Sequence, residues 1–408
     1  MNSRWRRIGM LCAGSASIVG IWVHGPVKCL GATERFVPGE LIVSFVDRGE
    51  PVMAPIGETF TSVYPALNSV LGEFRLSGLR PLFCPDSPLK NVFVFEFPAN
   101  TDLDAVTSRL VAMPFIKHTE KNLLLDVDLD MIPSNYACRH DWWCNGAHGR
   151  TDTWALWSMQ LDRAWDITRG DSSVVVAIMD DGLDYCHPFL GRNVWQNLGE
   201  DSDHDGRTLV KSGVTWVLDE GDINGNDDDG NGKADDLIGW DFRDNDGDPI
   251  SDIETDITHG TNMGSLVSCT TNTSPFGTAG ITWFTKLMPL RSVRSSQDDY
   301  VESAWVIGAT NYAAAKGADI VNMSFSTDTC TAAWHDAIVA ASNAGVIFVS
   351  SAGVRNVSGR DLSEITKRYP QWWEEVICVA AVDTFGYKTD VPSNWVVPLI
   401  YADTAQHR

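Results

Sequence analysis

Hydrophobic and polar positions change rhythm partway along the 408-residue chain. Between Arg35 and about Asp130, Gly39–Asp47 and Asn91–Pro98 alternate apolar with polar residues and carry Val, Ile and Phe, which predicts strands. Thr101–Met113 opens on a capping residue and sets Leu103, Val106, Leu110 and Val111 on one helical face. A weaker helix over Thr59–Leu71 and a strand over Lys121–Val127 complete a small α+β unit. After Trp157 the apolar runs become short and continuous, at Val174–Met179, Leu287–Leu290, Ile320–Phe325, Val346–Val349 and Val376–Val382. Helical stretches, Asp298–Lys316 and Thr331–Asn343 (closed by Gly345), lie between the later runs. This is the pattern of an α/β domain, a mostly parallel sheet covered by helices on both faces. Right-handed crossovers then gather the carboxyl ends of the strands on one edge, where ligands sit.

The N-terminus reads as an export signal over residues 1–32. Arg4, Arg6 and Arg7 precede the uncharged run Ile8–Val23, and the small residues Gly25, Gly31 and Ala32 follow. The run is shorter than a membrane span requires, so the expected product is secreted or periplasmic, with no membrane attachment once the signal is removed. Export changes the reading of the nine cysteines. Cys138, Cys144, Cys186, Cys269, Cys330 and Cys378 remain after the signal and the α+β unit are set aside, and an even set predicts disulfides. No C-x-x-C or H-x-x-x-H spacing supports zinc.

The formal net charge is −23, and residues 200–256 carry −15 of it, with 19 acidic against 4 basic side chains. A chain without a basic footprint is not a general nucleic-acid binder. Within this stretch Asp227, Asp229, Asn231 and Asp235 fit D-x-D-x-N-G-x-x-D, the first part of an EF-hand-type loop that wraps a hard cation in oxygens. Ile238 stands where the closing Glu would be. Asp201, Asp203 and Asp205 make a second, shorter match, and a solvated acidic loop is the competing reading of both.

Four further motifs carry candidate chemistry. Val174–Gly182 places Asp180 and Asp181 directly after a buried strand, and His259-Gly260-Thr261 sets an imidazole at a helix start. Val321–Ser326 and Ser350–Gly353 are buried strands emerging into small polar residues. In this order and spacing the chain resembles the subtilisin-like serine proteases over about residues 35–408. Asp180-Asp181-Gly182 is similar to that family's aspartate motif and His259-Gly260-Thr261 to its histidine motif, although Met263, Gly264 and Ser265 depart from the usual small-apolar pattern. Lys286–Arg291, Asn322-Met323-Ser324 and Ala164–Gly170 resemble further segments of the catalytic domain, and Phe36–Val43 resembles the start of its inhibitory propeptide.

The resemblance implies a ferredoxin-like propeptide domain over residues 33–130, a linker over 131–156 and a peptidase domain over 157–408 with an acidic calcium-loop insertion over 199–256. It implies that Asp180 orients His259, that His259 is general base to a serine, and that Ser324, Phe325, Ser326 and Gly353 border a protein or peptide substrate. The chain's own propeptide would be an intramolecular inhibitor, and Ca²⁺ a structural cofactor. Two departures stand out. No G-T-S-x-A nucleophile segment occurs in residues 1–408, so the peptidase domain is expected to be incomplete at its C-terminal side and inactive as given. Val354 follows Gly353 where the family has an oxyanion-binding Asn, and Ser326 stands where a glycine is usual. The alternative is a non-catalytic pseudoprotease, acting as a calcium-dependent binding or inhibitory protein.

Overall fold

A computed structural model describes residues 35–46, 53–56, 59–82, 91–125, 128–129, 159–251, 259–269, 280–293, 301–351, 368–382 and 397–399. The expected signal and linker, together with Gly353 and Val354, lie outside the described residues.

The N-terminal part is built from β1 (Phe36–Phe45), the hairpin of β2 (Met53–Ile56) and β3 (Thr59–Ser62), α1 (Pro65–Glu73), β4 (Gly78–Pro81), β5 (Val92–Glu96), α2 (Leu103–Leu110), β6 (Ile116–Leu125) and the short β7 (Asp128–Leu129). Without the hairpin this is β-α-β-β-α-β, and its antiparallel sheet runs β6-β1-β5-β4. The helix predicted over Thr59–Leu71 divides. Pro65, in the first turn of α1, fixes the helix start, and the β-branched Thr59 and Thr61 before it lie in β3. In α2 the cap is Asp102 rather than Thr101, its carboxylate accepting from the N–H groups of Asp104 and Ala105.

Both faces of this sheet are buried. Leu41, Val43 and Phe45 pack with Leu67, Val106 and Leu110 of the two helices. Ile42, Val94 and Leu125 join a second core with Val301, Ala304 and Phe325 from the C-terminal part. That part contains α3 (Leu161–Ile167), β8 (Val175–Asp180), the hairpin β9 (Leu209–Ser212) and β10 (Thr215–Leu218), β11 (Trp240–Asp241), α4 (His259–Val267), β12 (Lys286–Arg291), β13 (Val301–Glu302), α5 (Ser303–Ala315), β14 (Ile320–Met323), β15 (Phe325–Ser326), α6 (Ala332–Asn343), β16 (Ile347–Ser351), β17 (Val376–Val382) and β18 (Val397–Leu399). Its seven-stranded sheet runs β11-β12-β8-β14-β16-β17-β18, parallel except for β18. The continuous apolar runs are strands, as their pattern predicts; β8 and β12 are buried along both faces, whereas β14 and β16 alternate, with Ile347 of β16 and Ile377 of β17 exposed.

Two edge pairings and two helix caps join the parts. β13 adds to β6, and β7 adds antiparallel to β15. From β6, Glu120 accepts from the N–H groups of Ala332 and Ala333 at the start of α6. Asn122 accepts from the Ala304 N–H and the Ser303 hydroxyl at the start of α5, and donates to Glu40 and Glu302. Asn122 is wholly buried, so Asn122→Ala leaves several polar groups unsatisfied. The expected cost is about 1–3 kcal/mol, read as a lower urea midpoint.

Candidate active site

Asp180 is the last residue of β8 and has no exposed surface. Its carboxylate faces His259, the first residue of α4, with Nδ1 at 2.8 Å from Oδ1 and 3.0 Å from Oδ2. Nδ1–H donates to this carboxylate, which fixes the tautomer and leaves Nε2 as the basic nitrogen. A hydrogen bond from the Asp181 N–H to Asp180 Oδ1, 2.8 Å, holds the carboxylate in turn.

Glycines permit the approach. A Cβ on Gly260 would lie 2.3 Å from the Gly182 carbonyl oxygen and 2.9 Å from Asp180 Cβ. Gly182 adopts φ +116°, a left-handed conformation that disfavours any side chain. Thr261 is buried, and its hydroxyl accepts from the Asp184 N–H, tying the helix to the turn after β8.

The second aspartate of the motif has its own position. Asp181 accepts from the first two N–H groups of α4, those of His259 (3.2 Å) and Gly260 (2.7 Å). Burial, and then the neighbouring Asp180 charge, push its carboxyl up to about 7 against these two hydrogen bonds. A carboxyl with a raised folded-state pKa contributes stability below the ordinary carboxylate range, and that contribution is lost as pH rises toward 7. Melting temperature is therefore expected to fall between pH 5 and pH 8, and to fall less in Asp181→Asn.

The expected substrate-binding residues follow β14. Ser324 accepts from the Asn322 side-chain amide, while Phe325 and Ser326 form β15 and are fully buried. Phe325 stacks on Trp334 at 6.0 Å. Arg368, which no motif contains, donates to the Ser326 hydroxyl and carbonyl oxygens.

The acidic insertion holds two loops of one design. Asp227 and Asp229 accept from the Asn231 N–H, and Asp227 also from that of Gly232. Asp201 and Asp203 accept from the Asp205 N–H, and Asp201 also from that of Gly206. Glu200 grips the second loop through the N–H groups of Asp228, Asp229 and Asp235. Asp222 grips the first through those of Ser202 and Asp203.

Carboxylate oxygens of Asp201, Asp203 and Asp205 lie within 4.8 Å of one another. In the other loop the group that gathers is Glu200, Asp229 and Asp236. Asp235 accepts from the N–H groups of Asn224 and Gly225, and Asp227 from those of Asn231 and Gly232, as Asp201 does from those of Asp205 and Gly206 in the first loop. The Lys316 ammonium pairs with Asp229 and lies 3.6 Å from Asp236. Burial first, then neighbouring acids, lift Glu200 to about 7. Asp222 Oδ2 and Asn231 Oδ1 are buried without a hydrogen-bond partner among the described residues, and every candidate donor is an oxygen. At Asp201, Asp203 and Asp205 that donor set fits a hard divalent cation, whereas at Asp229 and Asp236 the Lys316 ammonium already supplies positive charge.

The cysteine expectation is corrected here. Cys186 and Cys378 are free thiols, so the six do not form three bridges; Cys330 is disulfide-bonded. Parity counts possible partners, whereas a bond requires Cα atoms within about 7 Å.

Fold and site together define an α/β protein whose parallel sheet delivers a buried carboxylate to an imidazole at a helix start. The subtilase-family model matches residues 171–405, and the chain belongs to that family. It is 25% identical over 284 residues to the thermophilic serine proteinase of Bacillus sp. (strain AK1), covering 70% of this chain and 54% of that protein. It is likewise 25% identical over 251 residues to thermitase of Thermoactinomyces vulgaris, covering 58% and 69%. Halolysin of Haloferax mediterranei is 29% identical over 166 residues, 41% of this chain and 24% of its own length. The chain thus spans about half the length of the first of these relatives and a quarter of halolysin. Fervidolysin from Fervidobacterium pennivorans, a keratinolytic enzyme related to subtilisin, shares the fold with a TM-score of 0.52 at 16% identity, over 86% of this chain and 44% of that one.

Proposed function

We propose that this chain is the Asp- and His-bearing part of a secreted subtilisin-type serine endopeptidase precursor. The Asp180–His259 geometry carries the reading. Nε2 of His259 takes the proton of a serine hydroxyl, and Asp180 stabilises the imidazolium that forms. The nucleophile belongs to a G-T-S-x-A segment that residues 1–408 do not contain, so a polypeptide of these residues alone forms no acyl-enzyme. A serine-reactive fluorophosphonate is the test. It should leave residues 1–408 unlabelled and should label a polypeptide in which they are joined to such a segment; absence of label on the longer form would count against the endopeptidase reading.

Protein or peptide chains are the proposed substrates, and residues 33–130 the intramolecular inhibitor. Support for the inhibitor comes from β7, which lies along β15 as an added strand, and from the two helix caps supplied by β6. The same contacts favour the second reading, a non-catalytic calcium-dependent inhibitory protein, in which the occupied cleft is the end state. Recovering a product that begins near residues 131–150 would favour the peptidase over that reading.

Calcium is proposed as a structural cofactor, held by Asp201, Asp203 and Asp205 and, if it displaces the Lys316 ammonium, by Glu200, Asp229, Asn231 and Asp236. Bound there, the ion would supply counter-charge to acids packed against one another. Chelation is expected to lower the melting temperature. A site filled at 100 times its dissociation constant contributes about 2.7 kcal/mol. An unchanged melting curve in chelator would remove calcium from the reading.

A further inference from the structure

Beside the cleft stands a guanidinium that the family motifs do not include. Arg368 is anchored next to β15 by the reciprocal hydrogen bonds of its neighbour Tyr369 with Thr327, each 2.8 Å. Its Nε donates to Ser326 Oγ at 3.1 Å and its Nη2 to the Ser326 carbonyl at 3.2 Å. Nη1 lies 3.3 Å from the carboxylate of Asp328, which is about half exposed at the rim, whereas the Arg368 side chain is only 16% exposed. The positive charge is therefore fixed in place, largely shielded from water, and located on the side of β15 to which Ser326 presents its hydroxyl.

β15 is also the strand along which β7 lies, with Leu129 opposite Phe325 and Asp128 opposite Ser326. Residues directly opposite in an antiparallel pair share a face, and alternate residues return to it. A peptide laid as β7 is laid thus offers one set of alternate residues to the face of Ser326 and Arg368. Its chain direction is set as well. Passing from 128 to 129 moves from Ser326 to Phe325, toward Ser324 and the end of β14. β14 neighbours β8, which ends in Asp180. The C-terminal direction of such a peptide therefore leads toward the Asp180–His259 pair. In the sequence of this chain Asp128 is followed by Leu129 and Asp130, two acids with an apolar residue between them.

We propose that Arg368 determines the specificity of the cleft, which selects peptides carrying Asp or Glu at the position opposite Ser326 or two residues beyond it, on the N-terminal side of the scissile bond. The scissile bond is taken from the endopeptidase reading; the preference for an acidic strand is not. A planar guanidinium with fixed orientation meets a carboxylate through paired, charge-assisted hydrogen bonds. A lysine at the same position meets like charge in a partly desolvated wall, so discrimination comes from repulsion as well as attraction. The chain's net charge of −23 would disfavour acidic peptides at long range, so the preference rests on the local guanidinium of Arg368.

The test uses the full chain, whose own strand is the ligand. Hydrogen exchange at Phe325, Ser326 and Leu129 is measured for the unaltered protein, for Arg368→Glu, for Asp128→Lys with Asp130→Lys, and for all three changes together. Arg368→Met controls for loss of the Ser326 contacts without charge reversal. Either reversal alone is expected to speed exchange by about tenfold or more, and the combination to restore protection. Exchange unaffected by Arg368→Glu, or a triple variant no better protected than the single reversals, overturns the proposal. In parallel, a polypeptide carrying the G-T-S-x-A segment is assayed on two fluorogenic peptides, Val-Asp-Leu-Asp and Val-Asn-Leu-Asn, each with its leaving group after the last residue. Equal or preferred cleavage of the Asn peptide overturns the specificity while leaving the endopeptidase reading intact. No cleavage of either counts against the endopeptidase reading alone, and the exchange result then decides the role of Arg368.

Discussion

Replacing Asp180 with Asn in a polypeptide that carries the complete triad is expected to lower kcat by about 10⁴-fold while changing KM little. The amide keeps the shape of the carboxylate but presents its NH₂ where His259 Nδ1–H now donates, 2.8 Å away. Imidazole then accepts at Nδ1 and carries its proton on Nε2, the wrong tautomer to receive one from serine. The negative charge that stabilises the imidazolium is lost at the same time. Asp180 has no exposed surface, so water does not screen the missing charge or take the carboxylate's place. Steady-state kinetics across pH 6–9 would check this. A loss under tenfold would mean that His259 is not oriented by Asp180 in the reacting state.

The largest expected effect on stability is at Trp334. It is fully buried, stacks on Phe325, meets Trp373 edge-on at 5.1 Å, and donates its indole N–H to Thr310 Oγ1 at 3.1 Å. Trp334→Ala removes all four contributions and leaves a cavity between α6 and the cleft strand. Such truncations cost about 3–5 kcal/mol, read as a lower denaturant midpoint. Trp334→Phe should recover part of the loss, because a ring remains against Phe325 while the N–H bond and the volume of the second indole ring are given up. Substrate or inhibitor affinity should weaken in the alanine variant as well, since Phe325 would lose its support.

What the sequence disclosed followed the distance over which each feature is determined. Val175–Asp180 is a strand because six successive residues are buried together, and that is written in the run itself. Asp180 and His259 were recognisable because each sits inside a short motif whose glycines, Gly182 and Gly260, are demanded by local backbone contacts. Asp181 stood in plain view beside Asp180, but its role as the cap of α4 depends on a contact 79 residues away. Arg368 could not be read at all. It is 42 residues from Ser326 and belongs to no spacing rule. The gathering of Glu200 and Asp236 with Asp229 was illegible for the same reason, since Glu200 lies 29 residues from Asp229 and outside the loop spacing. The two-residue strands β7 and β13 carry no periodicity to detect; partners across the chain create them.

The two loops of the acidic insertion have a consequence for how the insertion is inherited. Glu200, which immediately precedes the first loop, closes on the second; Asp222, which precedes the second, closes on the first. Each loop is latched by a residue lying next to the other. Losing one loop would leave the acid that grips it buried without those N–H partners and so destabilise the pair. The pair should be gained and lost as a single cassette, with breakpoints outside residues 200–236, and relatives should carry both loops or neither.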